Sequence, residues 1–217
     1  MIKKKIVVLD YYIGNILSIQ NAIEYLGHQV LITDKPKDIA SATHLILPGV
    51  GAFGNAMNML KNKYLDKEIL KFSESNRPIL GICLGMQLLF ENSSEFGFNN
   101  GLGILKGNVV ELPNRDKKNF SLKKPNIGWS KIDIKINYEN PTSIKIIKDL
   151  NDKDQFYYLN SFYALPKNKN ICIATSKFYD YEFTGLVVDK NIVGCQFHPE
   201  KSAKSGLKIL KNFLSIN

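Results

Sequence analysis

The chain has 217 residues, 44% hydrophobic and 23% charged, the balance of a globular domain with one substantial core. Its formal charge of +9 comes from scattered lysines in short runs at 3–5, 117–118 and 123–124, which reads as a compositional bias and not as a nucleic-acid groove. No apolar run approaches the roughly 20 residues of a membrane helix. The basic start leads into too short an apolar stretch for a secretory signal, so a cytoplasmic location is expected.

Residues 5–9 predict the first strand and 10–15 a loop. A helix follows at 16–26, with apolar residues at Ile16, Ile19, Ala22, Ile23 and Leu26 and Gly27 as its stop. Strands at 29–33 and 44–47 bracket a short helix or turn at 36–40. Helices near 52–62 and 65–75 lead to a strand at 78–82, and 88–91 reads as the body of the next helix. Strand and helix alternate through this half, which implies a parallel sheet covered on both faces.

After Gly97 the character changes. Segments 109–112, 130–136, 144–147, 156–164, 171–176 and 184–189 all read as extended, 101–103 as a loop, and the polar stretch 113–124 as a surface loop. Asp189-Lys190-Asn191 reads as a hairpin turn, 192–197 as the last strand, and Ser202 as the cap of a final helix. No repeat or linker interrupts the chain, and 1–217 reads as one domain.

Between the 78–82 strand and its helix stands Gly81-Ile82-Cys83-Leu84-Gly85-Met86-Gln87. A cysteine at a strand-to-helix turn, with glycine two residues away on either side, has the form of a nucleophile elbow. The glycines would permit unusual backbone angles and close approach of neighbouring chain. A helix N-terminus favours the thiolate. Taken alone, the pattern fits a buried structural cysteine equally well.

The second motif, Gln196-Phe197-His198-Pro199-Glu200, ends the last strand. On extended chain, residues two apart share a side, so Glu200 can orient His198 and His198 can serve Cys83 as base, the arrangement of a nucleophilic triad. His28, beyond a helix end, and His44, at a strand start, read as structural. So do Cys172 and Cys195 within apolar strands. Three cysteines without a C-x-x-C pair argue against a disulfide framework or a zinc site. A third element, Pro48-Gly49-Val50-Gly51-Ala52-Phe53, can present an N–H to a developing oxyanion, and the Leu84 N–H can present another.

Together these residues resemble the class I, triad-type glutamine amidotransferases. More narrowly, the 48–54 segment, Phe197-His198-Pro199-Glu200-Lys201-Ser202, and Asp10-Tyr11 with Gly14-Asn15 resemble the glutaminase subunits of imidazole glycerol phosphate synthase. The resemblance implies an α/β fold with a central, mostly parallel or mixed sheet flanked by helices and a β-rich second half. It implies that Cys83 attacks the side-chain amide of glutamine, that His198 protonates the departing ammonia, and that Glu200 holds His198. It places Gly49 beside the nucleophile, Val50 and Leu84 amides at the oxyanion, Gln87 and Glu95 in the glutamine pocket, and Asn160, Ser161 and Phe162 near the glutamine backbone. No metal or organic cofactor is implied. Ammonia would pass to a (β/α)8-barrel cyclase partner in histidine biosynthesis, with Asn15 and Trp129 near the partner face.

The sequence departs from the family pattern at three points. Asn126 stands where Pro-His-x-Gly-Trp is usual, Asn160 and Phe162 where His-Ser-Tyr is usual, and Tyr12-Ile13 where Gly-x is usual. These departures open an alternative, a paralogous glutaminase that supplies ammonia to a ligase aminating or amidinating a surface-glycan sugar. A thiol peptidase would use the same dyad but not the 48–53 signature. A silent binding subunit would lack an intact triad.

Overall fold

The computed structural model describes residues 4–135 and 139–216. Its centre is an eight-stranded sheet. The first half supplies β1 (Ile6–Leu9), β2 (Val30–Thr33), β3 (His44–Leu47) and β4 (Ile79–Ile82). They pair in parallel in the order β2-β1-β3-β4. Helices α1 (Ile16–Tyr25), α2 (Pro36–Ala40), α3 (Phe53–Asn62) and α4 (Leu65–Glu74) connect them. β1, β3 and β4 are buried along their whole length, because helices cover both faces of a parallel sheet. One core holds Val8, Ile46 and Leu80 with Ile19 and Ile23 of α1; the other holds Val7, Leu45, Leu47 and Ile79 with Leu60 of α3 and Ile69 of α4.

Beyond β4, α5 (Leu84–Leu88) begins directly after Cys83. It is earlier and shorter than the helix expected at 88–91: the Glu91 N–H donates to the Gly107 carbonyl at 3.1 Å and draws the chain away into a second sheet. That sheet holds β5 (Asn92–Ser93), β6 (Asn99–Asn100) and β7 (Gly107–Glu111). The strand expected at 130–136 is β8 (Asn126–Lys131) followed by β9 (Asp133–Ile134), and Ile136 lies outside the described residues. The stretch 144–147, expected to be extended, is instead the end of α6 (Pro141–Ile146) and its C-cap Ile147. Asn140 Oδ1 accepts the Thr142 N–H at 2.9 Å and Pro141 fills the first turn, a cap and a start signal that outweigh a short run of isoleucines.

The strand expected at 156–164 is broken at Ser161 into β10 (Gln155–Asn160) and β11 (Phe162–Pro166). β10 pairs with β8 as a separate ribbon, and β11 joins β7. β12 (Cys172–Phe178), β13 (Tyr181–Asp189) and β14 (Ile192–Cys195), with β9 at the outer edge beside β12, complete the main sheet. They run antiparallel to one another, while β14 lies parallel to β4. The mixed sheet and β-rich second half are as expected. The last strand stops at Cys195 and not at Phe197, and α7 (Ala203–Leu214) closes the chain. Ser202 precedes α7 without capping it. Its hydroxyl instead accepts the Tyr157 N–H at 2.9 Å and donates to the His198 carbonyl at 2.6 Å.

Candidate active site

Because β4 and β14 are adjacent and parallel, with Ile82 opposite Cys195, the residues that follow each strand emerge at the same edge of the sheet. That edge, at the carboxyl ends of the strands, is where open α/β sheets build sites. The Cys83 N–H donates to the Cys195 carbonyl at 2.7 Å and locks the two chain ends together. Cys83 has φ 52° and ψ −110°, a backbone state costly for a residue with a Cβ. The unusual angles thus fall on the cysteine itself, and the flanking glycines supply room. A Cβ at Gly85 would lie 1.8 Å from the Leu47 carbonyl oxygen, and one at Gly81 would lie 2.7 Å from Met86 Cα.

After β14 the chain bends, and Pro199–Lys201 forms a single tight helical turn. This turn, and not an extended segment, brings Glu200 Oε1 to 2.8 Å from His198 Nδ1. Both side chains are buried, and no hydrogen-bond partner satisfies His198 Nε2 or Glu200 Oε2. Burial opposes a charge on the imidazole. The Cys83 sulfur and the Glu200 carboxylate override it and hold the His198 pKa well up, at about 10. Thiol, imidazole and carboxylate therefore act on one another as a unit, with Nδ1 taken by Glu200 and Nε2 the ring nitrogen left for proton transfer.

The 48–51 turn is pinned from below. The Tyr11 hydroxyl donates to the Pro48 carbonyl, and a Cβ on Gly49 would come within 2.9 Å of both that hydroxyl and the Gly85 nitrogen. A cavity of about 310 Å³ opens over Cys83, with Val50, Leu84, Gln87, Glu95, Asn160 and Phe162 among its walls. Ser161 also lines it. Gln87 Nε2 donates to the Phe162 carbonyl at 2.9 Å and to Gln196 Oε1 at 3.0 Å. Glu95 accepts the Phe53 N–H at 2.7 Å; partial burial raises its pKa against that hydrogen bond. Among the described residues, no group of three or more His, Cys, Asp or Glu side chains is placed to hold a metal ion, and no helix is long and apolar enough to cross a membrane.

Residues 7–216 match the family described as "Glutamine amidotransferase class-I". The chain is a class-I glutamine amidotransferase. It is 45% identical over 208 residues to the imidazole glycerol phosphate synthase subunit HisH of Sulfurimonas denitrificans, covering 96% of both chains. It is 42% identical to the HisH subunit of Syntrophotalea carbinolica, covering 96% of this chain and 98% of that one. In fold it is similar to the solved structure titled "Structure of PurLQS from Thermotoga maritima", with a TM-score of 0.72 at 19% identity over 98% of both chains. A "Crystal structure of glutamine amidotransferase" gives the same TM-score at 16% identity, covering 96% of this chain and 97% of that one.

Within this amidotransferase, Cys83, His198, Glu200, Val50, Leu84, Gln87, Glu95, Asn160, Ser161 and Phe162 converge on one site, with Gly49 packed beneath it. Asn15 begins α1 without a side-chain cap, and the neighbouring Gly14 packs on Pro48. Trp129 stands on β8, 51% exposed, its ring edge-on to Tyr157. Two of the three departures from the family pattern meet: Asn126 and Asn160 are register partners, and Asn126 Nδ2 donates to Asn160 Oδ1 at 3.2 Å. Asn126 therefore reaches the pocket wall, not only an outer face. Sequence reading missed Gln196 and Tyr11 as site residues; a glutamine within the apolar run 192–197 was the signal for the first. His44 is structural as expected: it is buried, lies 3.0 Å from the Ile216 carbonyl, and burial drives its pKa down to about 4. Cys195 is fully buried, whereas Cys172 is only partly so.

Proposed function

We propose that residues 1–217 act as one glutaminase domain with Cys83 as nucleophile. The thiolate attacks the side-chain amide carbon of glutamine, and the carbonyl oxygen takes up negative charge against the Leu84 and Val50 N–H groups. His198, protonated and held by Glu200, gives its proton to the departing nitrogen, and ammonia leaves. Water, deprotonated by His198, then hydrolyses the glutamyl thioester, releasing glutamate and restoring Cys83. Gln87, Glu95 and the 160–162 segment hold the substrate. The observation that carries this reading is the buried His198–Glu200 pair beside a cysteine held at positive φ.

Free ammonia is protonated at neutral pH and loses its nucleophilicity, so it is best delivered through a closed interface. The full-length similarity to HisH subunits supports delivery to a cyclase that makes imidazole glycerol phosphate in histidine biosynthesis. We assign that partner a (β/α)8 barrel, with Asn15 and Trp129 at the contact. The same relatives do not favour a surface-glycan sugar as acceptor.

The test is covalent labelling with a glutamine-analogue electrophile, read by peptide mass spectrometry. Label on Cys83 alone, blocked by glutamine, is expected, and Cys83→Ala is expected to lose roughly 10⁴-fold or more of glutamate release. Release that survives the substitution overturns the assignment.

A further inference from the structure

Five side-chain hydrogen bonds form an unbroken amide chain from the β8–β10 ribbon to the sulfur of Cys83. Asn126 Nδ2 donates to Asn160 Oδ1 at 3.2 Å, and Asn160 Nδ2 donates to the Phe162 carbonyl at 3.1 Å. The same carbonyl accepts Gln87 Nε2 at 2.9 Å. The second Gln87 N–H reaches Gln196 Oε1 at 3.0 Å, and Gln196 Nε2 stands 3.5 Å from Cys83 Sγ.

The direction of this chain is fixed by chemistry. A backbone carbonyl can only accept, so Phe162 forces the –NH2 ends of both Asn160 and Gln87 toward itself. The other Gln87 N–H can then only meet an oxygen, which fixes the Gln196 carboxamide with its oxygen toward Gln87. Its –NH2 group must face the sulfur. Gln196 is fully buried, so no water competes for either end. The sulfur's neighbour in the ribbon is the Leu159 carbonyl of β10, which accepts from the thiol at 3.7 Å. A carbonyl can pair only with an S–H, whereas an N–H donor can also hold a bare sulfur.

We propose that Gln196 is a positioning residue for the nucleophile: its carboxamide N–H, oriented through Gln87 and the Phe162 carbonyl, stabilises the Cys83 thiolate and fixes its direction of attack. This rests on Cys83 being the nucleophile. Replacing Gln196 with an apolar side chain of similar length removes the donor and leaves His198, Glu200, the Tyr11 hydroxyl and the Cys195 thiol, the other ionisable groups around the sulfur, in place.

The experiment is the pH profile of Cys83 alkylation by iodoacetamide in wild type and Gln196→Met, together with steady-state glutamine hydrolysis. A charged acceptor that loses one hydrogen bond loses stabilisation worth about one pH unit or more. The alkylation midpoint is therefore expected to rise by about one unit. The kcat is expected to fall roughly tenfold or more, with KM for glutamine changed less than threefold. A profile unchanged from wild type overturns the proposal, as does a loss of activity carried only by a rise in KM. Where Gln196→Met does not fold, wild-type protein decides. The Gln196 side-chain amide resonances, assigned by comparison with Cys83→Ala, are expected to move with the alkylation midpoint; amide shifts that ignore that titration overturn the proposal. Iodoacetamide needs only a thiol. Failure of the glutaminase reading would therefore appear in the glutamine assay, and failure of this inference in the alkylation profile or the amide shifts.

Discussion

The two walls of the cavity over Cys83 are built by different physics. The wall formed by β3, β4 and the turns that follow them is close-packed: Gly49, Gly81 and Gly85 let backbone touch backbone where any Cβ would collide. The facing wall, residues 159–162 at the end of the β8–β10 ribbon, is held by carboxamide side chains. The ribbon is a two-stranded unit outside the main sheet, tied to the site through the His198 N–H, which donates to the Tyr157 carbonyl at 2.9 Å, and through Ser202. Close packing fixes the nucleophile and oxyanion donors without adjustable parts. Hydrogen-bonded amides set the position of the facing wall, and the ribbon behind it carries the exposed Trp129 proposed to meet the cyclase.

Substitutions that separate the two walls follow in order of expected effect. Glu200→Gln strikes the unit that both walls serve. It should lower kcat by about 10³-fold, close to 4 kcal/mol of transition-state stabilisation, without loss of fold. The sign of its pH effect is fixed. The His198 pKa is raised from 6.5 to about 10 in the folded protein, so the stabilisation is complete below pH 6.5 and is lost as pH rises through that higher value. Removing the carboxylate charge lowers the His198 pKa, so in Glu200→Gln the loss begins at lower pH. An NMR titration of the imidazole reads the shift directly; an unmoved midpoint would sever Glu200 from His198.

Gly85→Ala tests the packed wall. Its Cβ would meet the Leu47 carbonyl oxygen at 1.8 Å, and backbone cannot yield as a side-chain tip does. A loss of roughly 3 kcal/mol in denaturant unfolding is expected. Asn126→Ala tests the amide wall at its outermost link. It removes one partly exposed hydrogen bond, with an expected cost of about 1 kcal/mol and a several-fold fall in glutamine hydrolysis with little change in unfolding. If Asn126→Ala instead destabilises as much as Gly85→Ala, the contrast between the walls is wrong.

The same contrast explains how much was legible in the sequence. In the packed half, local signals suffice: apolar runs for β1, β3 and β4, helical spacing in α1, and the glycines around Cys83. Each depends on neighbours near in the chain. The ribbon depends on pairing across about thirty residues, Asn126 with Asn160, which periodicity cannot reveal. The break at Ser161 was hidden because both flanking segments are extended and differ only in which strand they join. The isoleucines of α6 mimic a short extended run, although Asn140-Pro141 is a helix start signal. The Cys83, His198 and Glu200 motifs were readable because a nucleophile, a base and an orienter need fixed residue types. Gln196 was not, since its role exists only through Gln87 and a backbone carbonyl brought in from elsewhere.

The central claim is that this site releases ammonia into a cyclase partner. The most direct measurement is glutamate release from glutamine by the purified chain mixed with its cognate imidazole glycerol phosphate cyclase, with and without the ribonucleotide ligand of the cyclase. A large ligand-dependent rise, abolished by Cys83→Ala, is the predicted result. No rise, from folded protein whose Cys83 still reacts with a glutamine-analogue electrophile, would contradict it.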